Sequence, residues 1–239
     1  MIWKWRRGGE TTFDNQPLAR DNPLPMNWKV PNQLTVGRIG LAAGFFALVG
    51  VYGPGREDLL TAALVVYVIA GITDILDGYL ARKLNITSAF GRIVDPFVDK
   101  VLVVGAFAML AGPNFKYGWA TPLMEQDLPA WLTGKTMTAV QPWMVVVILA
   151  REFVVSAVRG YSESQGIKFP ATAAGKFKMF VQSAAICGIL VQLVYLPDAE
   201  WAIYGKIGFV WLSVVVTVVS AFNYVGKARK VLFDDELAA

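Results

Sequence analysis

The long apolar segments of this sequence constrain its fold more than any other feature does. A helix needs about 20 largely apolar residues to cross a bilayer, and an open sheet facing lipid would leave backbone groups unpaired. Hydrophobic residues make up 55% of the 239 residues and charged residues only 17%, which is typical of a polytopic membrane protein. The sequence therefore predicts an all-α membrane protein with six transmembrane helices, at 34–52, 59–80, 93–111, 143–158, 174–196 and 201–225.

The segments suggest three parts of the chain. Residues 1–27 are polar and lack the continuous apolar run of a signal peptide, and we expect either an arm along the membrane interface or a disordered tail. A six-helix transmembrane domain is predicted at 28–228 and a short C-terminal tail at 229–239. The fourth apolar segment is the least typical of the six, because it is short and contains Arg151 and Glu152.

Basic residues are concentrated in alternate connections between the segments. Cytoplasmic connections carry an excess of lysine and arginine, so both termini are expected in the cytoplasm. The long, nearly neutral connection at 112–141 is then expected outside, with part of it on the bilayer surface. The basic residues on the predicted cytoplasmic side are Lys4, Arg6, Arg7, Lys29, Arg82, Lys83, Arg92, Arg159, Lys168, Lys227, Arg229 and Lys230.

Two residue types are scarce, and their scarcity excludes several kinds of site. The sequence contains no histidine and a single cysteine, Cys187. A histidine general base, a histidine-ligated zinc site and a Ser-His-Asp triad are therefore excluded, as is an intramolecular disulfide. Proton transfer must fall to a carboxylate, a lysine, a tyrosine or water.

Four aspartates lie within or beside the second and third apolar segments. Asp74 and Asp77 are three residues apart, and Asp95 and Asp99 are four apart, so each pair occupies one face of a helix. Consecutive helices joined by a short connection are antiparallel neighbours, and the two pairs are expected to face each other near the cytoplasmic end. Ionised carboxylates in such surroundings are costly and repel one another. A divalent cation that prefers oxygen ligands, Mg²⁺, Mn²⁺ or Ca²⁺, would hold them together.

Small residues accompany the aspartates at Gly78, Ala81 and Gly91. They would let a flat or bulky ligand approach the helix backbone. Two other interpretations remain open. Arg82, Arg92 and Lys100 could pair with some of the carboxylates in a structural cluster, or the aspartates could mark a path for cations or protons. Transporters usually place such a site near the midplane between repeated halves, whereas this cluster lies near one face and no repeat is visible.

The aspartates and small residues together resemble the signature of the CDP-alcohol phosphotransferase family, D-x2-D-G-x2-A-R-x8-G-x3-D-x3-D. This chain matches it at every position from Asp74 to Asp99. Members of the family have six transmembrane helices and usually form homodimers. They transfer a phosphatidyl or related group from a CDP-linked donor to an alcohol and release CMP. The resemblance implies such an enzyme in a bacterial plasma membrane, with membrane lipid and no nucleic acid among its partners.

The resemblance also implies roles for individual residues. Two divalent ions, Mg²⁺ or Mn²⁺, would be held by Asp74, Asp77, Asp95 and Asp99, and Asp99 would be the general base on the acceptor hydroxyl. Gly91 would have a structural role. The CDP part of the donor would be bound by Asp74, Gly78, Ala81, Arg82, Asn32 and Thr35.

Three further stretches, VPNQLTVGR at 30–38, AREFVVSAVR at 150–159 and GKFK at 175–178, are similar to one branch of this family. That branch uses CDP-diacylglycerol and sn-glycerol 3-phosphate. The acceptor brings a dianionic phosphate, which in a membrane site needs cations, and arginine suits it because of bidentate contact. The residues expected to bind this phosphate are Arg38, Arg151, Arg159, Lys176 and Lys178.

Alternatives to these assignments stay open. Arg151 could pair with Glu152, and lysines at helix ends often extend towards lipid headgroups. Other branches of the family use phosphatidylglycerol, inositol phosphate or serine as the acceptor. A lipid-binding subunit that had lost its activity is disfavoured, because every catalytic position of the signature is present.

Overall fold

In the computed structural model of this chain, the regular secondary structure of the described residues consists of helices. The structure describes the backbone of 29–53, 55–84, 89–118, 121, 123–164 and 173–233, and the side chains within 36–53, 55–76, 97–98, 100–118, 121, 125–162, 164, 175–224 and 226. Within these ranges an isolated bridge between Lys116 and Thr136 is the only strand-like pairing, so the all-α prediction is confirmed. The helices are α1 (Lys29–Gly50), α2 (Glu57–Leu84), α3 (Ala89–Leu110), α4 (Leu123–Gln126), α5 (Ala130–Thr133), α6 (Pro142–Ser164), α7 (Ala173–Tyr195) and α8 (Glu200–Phe233).

Three of these helices contain segments long and apolar enough to cross a membrane, by the length and composition of the described residues. The segments are Glu57–Leu76 in α2, Gly175–Tyr195 in α7 and Glu200–Tyr224 in α8. Shorter apolar segments, Val36–Gly50 and Lys100–Leu110, lie in α1 and α3. The chain is therefore a helical membrane protein, and the predicted number of six spans stays a prediction. The predicted arm lies outside the described residues, as do residues 234–239 of the predicted tail.

Local sequence signals explain where several helices begin and end. Glu57 and Asp58 occupy the first turn of α2, where acidic side chains interact favourably with the helix dipole. Pro142 is the first residue of α6, a position that tolerates proline because its missing N–H would have no helical partner. The short helix α5 ends at Gly134, whose φ of 65° is left-handed and suits glycine at a helix C-terminus.

The long helices pack into one bundle with a continuous apolar core. α1 packs against α2 and α3, α7 packs against α2 and α8, and α6 packs against α3 and α8. α1 and α3 approach closely at Gly105, where an added Cβ would lie 2.5 Å from the Phe46 ring. The core residues include Phe45, Leu60, Phe107, Ile148, Ile186 and Val210.

The connection at 112–141 folds against one end of this bundle. The ring of Phe115 stacks on Tyr52, which follows α1, with ring centroids 5.0 Å apart. The indole N–H of Trp211 on α8 donates a hydrogen bond to the Leu132 carbonyl at 3.0 Å. The aspartate signature lies at the opposite end, where α2 ends and α3 begins. The expected contact of this connection with the bilayer surface stays a prediction.

Candidate active site

The aspartate signature occupies the adjoining ends of α2 and α3. α2 continues through Asp74 and Asp77, and α3 continues through Asp95 and Asp99, so the prediction that each pair lies on one helix is confirmed. The Asp74 side chain is described. The predicted site residues whose side chains lie outside the described part are Asp77, Asp95, Asp99, Gly78, Ala81, Arg82, Gly91, Asn32 and Thr35, and their roles remain predictions.

Asp74 forms an ion pair with Arg38 of α1. Arg38 Nη1 lies 2.8 Å from Asp74 Oδ1, with the arginine side chain 1% exposed and the aspartate 39%. A guanidinium buried this deeply needs an anionic partner, and Asp74 provides one. From sequence, Asp74 was predicted to belong to the metal and donor sites and Arg38 to the acceptor site. The structure brings the two residues together, and it thereby places the first half of α1 beside the signature.

A second buried group of charges joins α6 to α7. Glu152 Oε1 accepts a hydrogen bond from Arg151 Nη1 at 3.0 Å and another from Lys178 Nζ. The three residues are 9%, 8% and 3% exposed in the order Arg151, Glu152 and Lys178. We refer to them as the Glu152 triad. Because two cations share one carboxylate, the triad carries a surplus of positive charge.

Helix α8 supports the triad from a third side. Arg151 Nε donates a hydrogen bond to Ser220 Oγ of α8 at 3.2 Å. Nearby, Gln182 Nε2 of α7 donates to Thr217 Oγ1 of α8 at 3.1 Å. Gln182 lies one turn beyond Lys178, and Thr217 lies three residues before Ser220, so α8 contacts α6 and α7 through polar side chains about one turn apart. These contacts help to set how α8 is rotated towards the triad.

Helix α3 is joined to the triad by a short chain of hydrogen bonds. Ser156, one turn after Glu152 on α6, donates its hydroxyl to the Glu152 carbonyl at 2.6 Å. Lys100 Nζ of α3 donates to Ser156 Oγ at 2.5 Å. Lys100 follows Asp99 directly in the sequence. The triad therefore lies next to the part of α3 that carries the last aspartate of the signature.

The two remaining cations predicted for the acceptor site have no anionic partner within the described part of the chain. Arg159 lies two turns beyond Arg151 on α6, and its Nε is buried without a hydrogen-bond partner there. Lys176, near the start of α7, is exposed. The five predicted cations thus divide into those that contact a described carboxylate and those that do not. The first set is Arg38, Arg151 and Lys178, and the second is Arg159 and Lys176.

Several residues of this network had no role in the prediction from sequence. Glu152 carried a signal, because an acidic residue within an apolar segment is costly and usually functional. Lys100 was predicted only as a possible partner of the aspartates. Ser156 and Ser220 had no predicted role, since a serine in a membrane helix is common and its partner depends on how the helices are rotated. The contacts of these three residues depend on how α3, α6 and α8 pack together.

The family model for CDP-alcohol phosphatidyltransferase matches residues 28–219 of this chain. The chain belongs to this family. The match includes the signature aspartates, Arg38 and the Glu152 triad, so the resemblance read from the motif alone is confirmed. The family transfers a group from a CDP-linked donor, and the buried charges described above lie within the matched region.

Three bacterial proteins are similar to this chain along nearly the whole of their own length. A CDP-diacylglycerol–glycerol-3-phosphate 3-phosphatidyltransferase of Bacillus subtilis (strain 168) is 32% identical, and the alignment covers 84% of this chain and 95% of that relative. A protein of the same name from Escherichia coli (strain K12) is 31% identical, with 87% and 100% covered. Another from Rickettsia bellii (strain RML369-C) is 27% identical, with 87% and 99% covered.

Proposed function

We propose that this family member transfers the phosphatidyl group of CDP-diacylglycerol to sn-glycerol 3-phosphate, giving phosphatidylglycerophosphate and CMP. The relatives that carry the name of this reaction align with almost the whole chain. The observation that favours a phosphorylated acceptor is the Glu152 triad, in which two buried cations share one carboxylate. A buried surplus of positive charge suits a phosphate, which can accept several charge-assisted hydrogen bonds. Unphosphorylated alcohols lack that group.

We place the reaction at the cytoplasmic face of a bacterial plasma membrane, in a chain with six transmembrane helices and both termini in the cytoplasm. The long helices α1, α2, α3, α6, α7 and α8 correspond to the six apolar segments of the sequence. Basic residues lie near the ends of these helices that adjoin the aspartate signature, as the positive-inside rule requires for a cytoplasmic face. The protein would act as a homodimer, as is usual in the family.

Enzymes of this family generally depend on divalent metal, and Asp74, the signature aspartate whose side chain the structure describes, is compatible with a role as a metal ligand. Only Oδ1 of Asp74 contacts Arg38 among the described contacts, and the aspartate is 39% exposed, so an oxygen remains for a hard cation. Asp74, Asp77, Asp95 and Asp99 would together hold two Mg²⁺ or Mn²⁺ ions, with Asp77 and Asp95 shared between them. Ions bound there would neutralise the pyrophosphate and the charge that develops on the leaving CMP.

Other residues of the chain would act as the general base and would bind the donor and the acceptor. Asp99 would accept the proton of the primary hydroxyl of sn-glycerol 3-phosphate while that oxygen attacks the phosphatidyl phosphorus. The new phosphorus–oxygen bond forms as the bond to CMP breaks, and CMP leaves with the electron pair. Gly78 and Ala81 would make room for the cytidine, and Arg82 would contact the donor phosphates. Asn32 and Thr35 would complete the donor site, and the acceptor phosphate would be bound by Arg151, Arg159, Lys176 and Lys178, with Arg38 beside Asp74.

An acceptor comparison tests this function. The purified protein is incubated with CDP-diacylglycerol and Mg²⁺, and CMP release is measured with a single acceptor at a time: sn-glycerol 3-phosphate, phosphatidylglycerol, inositol, inositol phosphate or serine. We expect release with sn-glycerol 3-phosphate alone, and none after EDTA is added. Release with a different acceptor would retain the family and overturn the proposed acceptor. No release with any acceptor, from protein shown to be folded, would favour a different donor or the transport interpretation.

A further inference from the structure

We infer that Glu152 is a positioning residue for the acceptor phosphate. Its carboxylate holds Arg151 and Lys178 in one arrangement, and these two cations, rather than Glu152, contact the phosphate. The inference rests on the proposed function, because it requires an acceptor that carries a phosphate. Neither the family signature nor the names of the relatives assign a role to Glu152.

The hydrogen bonds of Glu152 support this role. One oxygen, Oε1, contacts both Arg151 Nη1 and Lys178 Nζ, so a single carboxylate sets the distance between two cations on different helices. Without it, two buried positive charges would face each other and repel. Lys100 Nζ lies near the same group through Ser156 and would add to that repulsion. Glu152 is therefore needed for the cations to stay together before any acceptor arrives.

The guanidinium of Arg151 is held at two of its three nitrogens by described residues. Its Nη1 donates to Glu152 at 3.0 Å and its Nε donates to Ser220 at 3.2 Å. None of the described contacts of Arg151 uses Nη2. Lys178 likewise has further N–H donors beyond the one given to Glu152. The donors that remain are the ones that a phosphate needs, and their direction is set by the contacts to Glu152 and Ser220.

The surroundings place this arrangement near the reacting groups. Ser156 lies one turn from Glu152 and contacts Lys100, the residue that follows Asp99. A phosphate held at the triad would therefore bring the acceptor hydroxyl towards the proposed general base. Small displacements of a bound group can cost as much as about 100-fold in rate, so an orienting carboxylate beside the binding cations affects how well the acceptor is used.

Kinetics of the full-length protein in lipid nanodiscs test the inference. For Glu152→Gln, which keeps the shape of the side chain and removes its charge, we expect the KM for sn-glycerol 3-phosphate to rise about tenfold or more. The KM for CDP-diacylglycerol should change less than about twofold, because only acceptor binding is affected. The conservative variant Glu152→Asp should give an intermediate KM for the acceptor. An unchanged or lowered KM for the acceptor in Glu152→Gln would overturn the inference.

A double-mutant cycle separates positioning from general loss of stability. If Glu152 acts by holding Lys178, Glu152→Gln should raise the acceptor KM much less in a Lys178→Met background than in the wild-type protein. Equal effects in both backgrounds would contradict the role. The matched control is Glu125→Gln, since Glu125 is also buried and also contacts a lysine, Lys206. It should leave the acceptor KM unchanged.

Two further measurements cover the case in which Glu152→Gln does not fold and the case in which the proposed function itself is wrong. If Glu152→Gln does not fold, Glu152→Asp and Ser220→Ala carry the test, and an unchanged acceptor KM in both would overturn the inference. CMP release by the wild-type protein with sn-glycerol 3-phosphate is measured in the same preparation. If the wild-type protein gives no release, the proposed function and the inference both fail. If it does and the variants keep its acceptor KM, only the inference fails.

Discussion

Two groups of buried charges lie at opposite ends of the helix bundle. At one end Lys206 of α8 contacts Glu125 in the connection at 112–141, at 2.8 Å, with both side chains 0% exposed. Lys206 also donates a hydrogen bond to the Met137 carbonyl. At the other end the Glu152 triad places Arg151 and Lys178 on one carboxylate. The first group is balanced in charge, and the second is not.

This difference in charge supports the proposal that the charged substrate binds at the end of the bundle with the aspartate signature. The fully buried pair of Glu125 and Lys206 has no net charge and holds the connection against α8. Burial raises the pKa of Glu125, and the ammonium of Lys206 opposes that shift. An unbalanced group is costly unless a further anion binds to it. The end with the surplus of positive charge is also the end with the aspartate signature, so the anionic ligand and the metal-binding carboxylates would meet there.

The largest expected effect tests whether the signature end is the catalytic end. For Asp95→Asn we expect no detectable CMP release, a loss greater than the ~10²–10⁴-fold that removal of a general base alone causes. Asp95 would be shared between both ions, so its loss would disrupt both sites. Asp77→Asn should behave in the same way. Turnover retained by either purified variant would contradict the two-metal site.

The next largest effect separates binding from chemistry at this end. Asp99→Asn should slow transfer by ~10²–10⁴-fold, because the hydroxyl of the acceptor would lose its general base. Binding of CDP-diacylglycerol, measured by equilibrium binding to the protein in nanodiscs, should stay close to the wild-type value. A variant that transfers at the wild-type rate would show that another group accepts the proton.

Arg159 and Lys176 differ in burial, and we expect their substitutions to change the acceptor KM by different amounts. The Arg159 Nε is buried without a partner among the described residues, whereas Lys176 is exposed. A desolvated cation interacts more strongly with a phosphate than an exposed one does. We expect Arg159→Ala to raise the acceptor KM about tenfold and Lys176→Ala to raise it less. Equal rises for acceptor and donor would argue against a phosphate site at these residues.

Arg38 was predicted to bind the acceptor phosphate but contacts Asp74 of the aspartate signature. A substitution of Arg38 tests which of the two sites it serves. Because it contacts Asp74, Arg38→Ala should reduce kcat more than it changes the acceptor KM. The conservative variant Arg38→Lys should recover part of the activity, since a cation again faces the carboxylate. A rise in the acceptor KM with kcat unchanged would instead place Arg38 in the acceptor site, as the sequence predicted.

The smallest effect on activity is expected at the opposite end. Glu125→Gln leaves Lys206 buried without its carboxylate, which costs roughly 3–5 kcal/mol when a buried pair loses one partner. The thermal unfolding midpoint in detergent should therefore fall, while the acceptor KM of the folded protein stays at the wild-type value. A change in that KM would show that the two ends are coupled.

The helices were more predictable from sequence than their ends. The predicted segment at 59–80 lies within α2, which continues to Leu84, and the segment at 143–158 lies within α6, which continues to Ser164. Hydropathy falls where charged residues begin, but backbone hydrogen bonds continue the helix into polar sequence. α6 is a continuous helix although Arg151 and Glu152 interrupt its apolar pattern. The two residues contact each other, Glu152 also accepts a hydrogen bond from Lys178 of α7, and Arg151 also donates one to Ser220 of α8.

The site was predictable in its residue types and less so in its pairings. The signature spacing was sufficient to place Asp74 and Asp77 on one helix. It could not show that Arg38 contacts Asp74, since that depends on the packing of α1 against α2. The sequence left open whether Arg151 binds a phosphate or pairs with Glu152. The structure shows the pairing and also shows a second cation on the same carboxylate, which only the approach of α7 to α6 provides.

The most direct test of the charge surplus compares acceptors with and without a phosphate. The ratio of kcat/KM for sn-glycerol 3-phosphate to that for glycerol is measured for the wild-type protein and for Lys178→Met. We expect the wild-type protein to prefer the phosphorylated acceptor by at least about 100-fold, and the variant to lose about tenfold or more of that preference. The same preference in both proteins, or none in the wild type, would show that the buried cations of the Glu152 triad do not bind the acceptor phosphate.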